Sequence, residues 1–333
     1  MLALGFYSVG LSMRHILAIF LSVYVFSFSI SAENIRYHMT VAQDGSGDFR
    51  SIQAAIDASK TFPDKPITIN IKNGLYQEKV HVYEWNPRVN LIGESVERTI
   101  ISFDDHFNKI AKGRNSTFHT ATLQVDGNDF HAQNLTIRNT AGPVGQAIAL
   151  AVTADRASFY QTRLLGHQDT VYVSGEDTHQ YFKDCYIEGT TDFIFGNATA
   201  VFDHCEIKSL SNSFITAAST VAHNDIGLVF LNCRLTAKEG VNEVYLGRPW
   251  RTFAKTVFIN SDFGSHITPK GWDDWSNQAA HRNSYYAEFN NHGPGANPKG
   301  RVNWAHQLTR EQAKQYQLST LLASPHHPSW YKK

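Results

Sequence analysis

Two acids and an amide recur at one interval in the middle of the chain: Gln146 to Asp169 is 23 residues, and Asp169 to Asp192 is again 23. They lie in the polar clusters Gly145-Gln146-Ala147, Gly166-His167-Gln168-Asp169-Thr170 and Thr191-Asp192-Phe193-Ile194-Phe195-Gly196. Tyr172 stands beside the second cluster, and Leu246-Gly247-Arg248-Pro249-Trp250 follows further on. Two carboxylates able to face one substrate group, with neutral amide donors beside them, favour a reaction that passes through an oxyanion. A polar ladder of Asp and Asn on an outer face is the plain alternative, with Asn212 expected at the same phase one turn later. It accounts less well for the company of Gln146, Gln168, Arg248 and Trp250. For Arg248 and Trp250 alone, the plain reading is a surface cation stacked on an indole, an arrangement found about once per 70 to 80 residues.

A repeat in the flanking sequence supplies the elements that must position these residues. An aromatic (Phe159, Phe182, Phe202, Phe230, Phe258) is followed three residues later by a small residue (Thr162, Cys185, Cys205, Cys233, Ser261). An apolar residue comes two after that (Leu164, Ile187, Ile207, Leu235, Phe263), and 132–137 is a weaker copy upstream. The intervals are 27, 23, 20, 28 and 28 residues, in the range of stacked repeat units. None leaves room for a well-formed helix between strands, and Gly166, Gly175, Gly189 and Gly196 punctuate short strand-like runs. The pattern predicts an all-β solenoid of parallel strands, with neighbouring turns about 4.8 Å apart. Asp169 lies ten residues after Phe159 and Asp192 ten after Phe182, so equal phase puts the two carboxylates side by side.

Upstream, 51–59 has apolar residues at 52, 55 and 56 and a serine N-cap, and reads as a short helix closing one end of the solenoid. Strands are expected at 67–71, 89–93 and 123–125, and a polar irregular loop at 104–116. Tyr76 and Glu78, several turns before the acids, read as structural. Asn115, Asn134 and Asn197 open glycosylation acceptor triplets.

Arg14-His15 precedes an apolar run at 16–30 that ends in Ser31-Ala32-Glu33. This is the layout of a secretory signal over 1–32, cleaved near Ala32, with Met13 as an alternative start. The run is short for a bilayer span, so no stable membrane insertion is expected after cleavage. Residues 33–333 then form one domain. Acidic and basic side chains balance at 30 each among 333 residues, which gives no overall field for nucleic acid. The 16 histidines are scattered, no His/Cys group has metal-ligand spacing, and no phosphate loop is present, so no metal and no cofactor are expected. The cysteines are Cys185, Cys205 and Cys233. The first two occupy equivalent positions on consecutive turns, which leaves open either a disulfide in an oxidising compartment or three stacked buried thiols.

At these residues the chain resembles the pectin methylesterases. The matching stretches are Gly74-x-Tyr76-x-Glu78, Gly145-Gln146-Ala147-x-Ala149-Leu150, Gly166-x-Gln168-Asp169-Thr170, Asp192-Phe193-Ile194-Phe195-Gly196 and Leu246-Gly247-Arg248-Pro249-Trp250. Gly271-Trp272-Asp273-x-Trp275 and Gly293-Pro294-Gly295-Ala296 follow, so the likeness runs from about 40 to about 325. It implies a single-stranded right-handed parallel β-helix with C-terminal loops and helix, acting as a secreted monomer on methyl-esterified galacturonan. By resemblance Asp192 is the nucleophile, and Asp169 is the general acid and base. Gln168 and Gln146 hold the oxyanion, and Arg248 orients Asp192 and keeps its pKa low. Thr117, Tyr172, Phe195, Trp250 and Trp272 would contact sugar. The Cys185–Cys205 pair resembles a disulfide of bacterial relatives. Rival readings keep the solenoid but make it a pectate lyase or polygalacturonase, a non-catalytic pectin-binding protein, or an esterase for another carboxylic ester.

Overall fold

The structure, a computed structural model, describes Gly5 and residues 36–332; the signal expected over 1–32 lies outside the described residues. Each turn of the chain supplies three short strands. One turn is Ala157–Tyr160, Arg163–Leu165 and Val171–Val173, and the next is His179–Lys183, Tyr186–Gly189 and Ile194–Gly196. Each strand pairs in parallel with its counterpart on the adjacent turn. Among the described residues the turns stack into sheets of eleven, eight and seven strands, a right-handed parallel β-helix.

The repeat read from sequence is the core ladder of this helix. Phe159, Phe182, Phe202, Phe230 and Phe258 pair in register. Their rings stack at centroid spacings of 4.7, 4.7, 4.7 and 4.3 Å. Ala132 pairs with Phe159, confirming the weaker copy's phase, while Phe130 supplies the ring there. Two residues beyond each ladder position the backbone turns left-handed, at Asn134, Gln161, Asp184, His204, Asn232 and Asn260. Asn and Asp tolerate this conformation because a short polar side chain can hydrogen-bond locally. The turn throws the next residue inward, so Leu135, Thr162, Cys185, Cys205, Cys233 and Ser261 are all buried.

That geometry decides the cysteines. All three are free and buried, so the Cys185–Cys205 disulfide is not formed. The Cys185 and Cys205 sulfurs stack on adjacent turns within hydrogen-bonding contact of one another, as free thiols. Each sulfur also meets a main-chain carbonyl of the preceding turn, Phe159, Phe182 and Phe202 for Cys185, Cys205 and Cys233 respectively, at 3.3 to 3.5 Å.

The expected closing helix is Ile52–Asp57, with the Ser51 hydroxyl accepting from the Ala54 N–H and Ile52, Ala55 and Ile56 buried. Glu78 has the structural role read from sequence: its carboxylate accepts from the Ile52 and Gln53 N–H groups at 2.8 and 3.0 Å. The Tyr76 ring is buried and its hydroxyl donates to the Lys72 carbonyl. The stretch expected as loop at 104–116 instead contains 3₁₀ turns at Phe107–Lys109 and Gly113–His119, held by local bonds such as Thr120 N–H to Thr117 carbonyl. At the other end, Leu308, Tyr316, Leu321, Leu322, Trp330 and Tyr331 pack on Val201, Val229 and Val257, covering part of the outer face of the eleven-stranded sheet. Strands under this cover, such as Leu228–Leu231, are therefore buried on both faces and read as continuous apolar runs, whereas Ile67–Ile71 and Val89–Gly93 alternate.

Candidate active site

The seven-stranded sheet carries the chemistry on its outer face. Val171 pairs with Ile194, so Asp169 and Asp192, each two residues earlier, stand in register on adjacent turns as their spacing predicted. Both have left-handed backbone, φ 65° and 49°, which lifts each side chain out of the strand path. Main-chain bonds fix them, from Asp169 N–H to the Thr191 carbonyl at 3.1 Å and from Asp192 N–H to the Phe214 carbonyl at 2.8 Å. The second bond corrects Asn212: two extra residues in that turn put Phe214 in the acid register, while Asn212 accepts from the Asn242 and Glu243 N–H groups. Gln146 is also shifted from its expected phase. It bridges to Gln168 rather than Asp169, an interval of 22, because the chain slips by one residue where Ala149 and Leu150 both donate to the Thr170 carbonyl. The two amides are thereby neighbours, one position before the acids.

Arg248 reaches Asp192 across two turns. Its Nε donates to Oδ1 at 2.9 Å and its Nη2 to Oδ2 at 2.7 Å, a bidentate pair. The guanidinium is held from two sides by the rings of Phe214 and Trp275, at 3.9 and 3.6 Å from their centroids. The cation stacked on Trp250 is Arg251, at 4.7 Å, and not Arg248.

Both acids are buried, 8% exposed for Asp169 and 6% for Asp192. Burial pushes the Asp169 carboxyl well above the usual range, and the Asp192 charge pushes it further; Arg248 and the Gln168 hydrogen bond oppose this. For Asp192, burial raises the pKa and outweighs the bonds from Arg248, with Asp273 adding to the rise. The expectation that Arg248 holds Asp192 low is therefore corrected. Desolvation wins in a site this dry, yet Arg248 contacts Asp192 alone, so the larger displacement falls on Asp169. Asp169 is thus favoured in its protonated form relative to the Arg248-bound Asp192, the order an acid beside a nucleophile needs.

The aromatic residues sort into two groups. Tyr172 pairs with Phe195 in register, their rings 4.8 Å apart, and Trp250 meets Phe195 edge-on at 5.8 Å. Phe193 is fully buried in the main core, whereas Phe195 lies with Tyr172 and Trp250 on the outer face. The turn at Asp192 separates the two rings, and Gly196 closes that strand where a Cβ would run into the Val173 carbonyl. Trp272 does not face substrate. It is 1% exposed, its indole N–H donates to Glu288, and it stacks on Tyr286 within the core. Its neighbour Trp275 is the exposed indole, at 38%, turned outward by a left-handed backbone. Likewise Thr117 is buried in its 3₁₀ turn, and the exposed ring there is Phe118, 5.2 Å from Tyr172. Trp275 and Phe118 were missed, although each sits within three residues of a residue that was singled out.

The fold and site thus define a class, a parallel β-helix with an in-register aspartate pair, one member clamped by arginine, beside an aromatic face. A family model described as Pectinesterase matches residues 38–324, and the chain belongs to the pectinesterase family. It is 33% identical to a pectin methylesterase from carrot, with a TM-score of 0.80, covering 86% of this chain and 92% of that one. A pectin methylesterase solved in complex with a hexasaccharide is 31% identical, with a TM-score of 0.75, covering 86% of this chain and 96% of that one. A probable pectinesterase/pectinesterase inhibitor of Arabidopsis thaliana is 38% identical over 283 residues, 81% of this chain; the match spans 49% of that relative, about half its length.

Proposed function

We propose that this chain hydrolyses the methyl esters of galacturonate units in pectin, releasing methanol and leaving free carboxylates. The observation that carries the reading is the asymmetry of the acid pair, in which Arg248 binds Asp192 by two hydrogen bonds and leaves Asp169 to the influence of burial and its charged neighbour. An Oδ of ionised Asp192 attacks the ester carbonyl carbon, and the oxyanion that forms accepts hydrogen bonds from the side-chain amides of Gln168 and Gln146. The C–O bond to methoxide breaks as Asp169 gives up its proton, so methanol leaves and an acyl-enzyme remains. Asp169, now ionised, takes a proton from water as the water attacks the acyl carbon. Collapse returns Asp192 as carboxylate and Asp169 as acid, and the galacturonic acid product then loses its proton to solvent. Arg248 still leaves each Asp192 oxygen a lone pair, while the rings of Phe214 and Trp275 hold its guanidinium in place.

Tyr172, Trp250 and Trp275 offer flat faces to sugar rings on either side of the acids, with buried Phe195 supporting Tyr172 and Trp250 and with Phe118 extending the face beyond Tyr172. Among the described residues no helix is long and apolar enough to cross a membrane. The 16–30 run supports export, as an enzyme acting on a wall polysaccharide requires. The reading is tested by methanol release from highly esterified pectin, with no new reducing ends. Asp192→Asn should abolish release while the chain still folds and melts cooperatively, and a variant that keeps its activity would refute the nucleophile assignment.

A further inference from the structure

The outer face of the seven-stranded sheet continues past the catalytic turns. One lateral row runs Arg248, Ala217, Phe195, Tyr172, Ala151, Gln124, His81. The row two residues further along each strand runs Trp250, Ser219, Asn197, Ser174, Thr153, Asp126, Tyr83. Main-chain bonds from Trp250 N–H to Ala218, Ser219 to Gly196, Ser174 to Val152, Thr153 to Val125 and Asp126 to Val82 hold it in phase. Side chains also join it: Ser174 donates to Asn197 at 2.6 Å and Thr153 to Asp126 at 2.7 Å. The result is a hydroxyl- and amide-lined track along the solenoid axis with an aromatic residue at each end. Tyr83 stands three turns from Tyr172, about 14 Å at the spacing of parallel strands.

At that far end, Tyr83 and Trp85 stack at 4.7 Å with planes 9° apart, and Trp85 is 41% exposed. Beneath them is a cavity of about 490 Å³ reaching Asp126, Asn128 and Thr153. Phe62, 72% exposed, is bonded to the Trp85 carbonyl through its N–H. The ionic character here is acidic. Glu84 is exposed at the rim, and Asp126 takes hydrogen bonds from Gln124 and Thr153 and pairs with His81 at 2.6 Å, which leaves no spare cation in the lining. At the Trp250 end the charge is reversed, with Arg251 on the indole face.

We propose that the Tyr83–Trp85 face is a distal subsite for an uncharged, methyl-esterified stretch of the same polysaccharide whose ester is cleaved at Asp192. This rests on the function proposed above. Apolar sugar faces suit the stacked rings, the hydroxyls and amides of the track suit sugar hydroxyls, and the acids disfavour a chain that already carries carboxylates. The subsite therefore holds substrate in preference to product.

Binding is measured apart from turnover, in an Asp192→Asn background, by titrating esterified and de-esterified galacturonan polymers. Trp85→Ala should weaken the esterified polymer about three- to tenfold, the range for losing one aromatic contact. In the active enzyme the same change should raise KM for long esterified polymer relative to KM for an esterified trimer by a similar factor. Glu84→Lys, on the exposed rim, should improve binding of the de-esterified polymer. The proposal is overturned if Trp85→Ala binds esterified polymer as the parent does, if both substrate lengths suffer equally, or if the change instead dissolves a self-associated form seen by sedimentation. Failure of wild-type chain to release methanol would instead refute the esterase reading, and the binding titration separates the two.

Discussion

Replacing Arg248 with lysine tests the electrostatic logic of the site at its most constrained contact. The two hydrogen bonds to Asp192, at 2.9 and 2.7 Å, join side chains that are 19% and 8% exposed, so little solvent screens them. Removing a partner from a buried pair costs about 3 to 5 kcal/mol. Lysine keeps the charge but not the planar fork, so about 3 kcal/mol of preference for ionised Asp192 is a fair figure for the loss. At 1.36 kcal/mol per pKa unit this equals a rise of about two units. Burial already raises Asp192, and with Arg248 gone that rise is less opposed. The ionised fraction then falls about 100-fold at any pH below the wild-type pKa, and by less between the two values. Initial rates of methanol release across pH should show the acid limb displaced upward by about two units, with the alkaline limb, set by Asp169, moved far less. An Arg248→Lys enzyme with wild-type rate and an unmoved acid limb would refute the claim that this pair governs the nucleophile.

Asp169→Asn should abolish turnover yet stabilise the fold at neutral pH. The folded pKa is raised, so the native state binds more protons than the unfolded chain and loses stability as pH climbs from about 4 through the folded value. The gain should read as about 2 to 4 °C in Tm per kcal/mol at neutral pH and vanish below about pH 4, in melts compared across pH. Trp272→Ala should cost about 3 to 5 kcal/mol of stability as a core truncation, measured by denaturant unfolding. Trp275→Ala should leave the melt nearly unchanged while lowering kcat/KM, because it frees Arg248. The three cysteines should resist alkylation until the chain unfolds, and added reductant should leave Tm unchanged; a reductant-sensitive melt would restore the disulfide.

The sequence by itself determined the quantities that repeat. A parallel solenoid joins each turn to the next by in-register main-chain bonds, so residues at equal distance from a recurring aromatic must lie side by side. That is why Phe159 through Phe258 located the core ladder, and why the 23-residue interval aligned Asp169 with Asp192. The helix at Ile52–Asp57 was legible for a local reason, a serine cap and an apolar face, and Glu78 read as structural because it lies several turns before the acids. Tertiary structure decided everything that hangs on a turn of changed length or on the path of a loop. One slipped residue paired Gln146 with Gln168, and two extra residues replaced Asn212 by Phe214 beneath Arg248. The loop after Gly271 chose which of two indoles, Trp272 or Trp275, entered the core. The inward turn at a left-handed corner buried Cys185 and Cys205 side by side as free thiols. Even the Asp192 pKa belonged to this second class: the sequence named the arginine that lowers it, but only the folded chain removes enough water for burial to win.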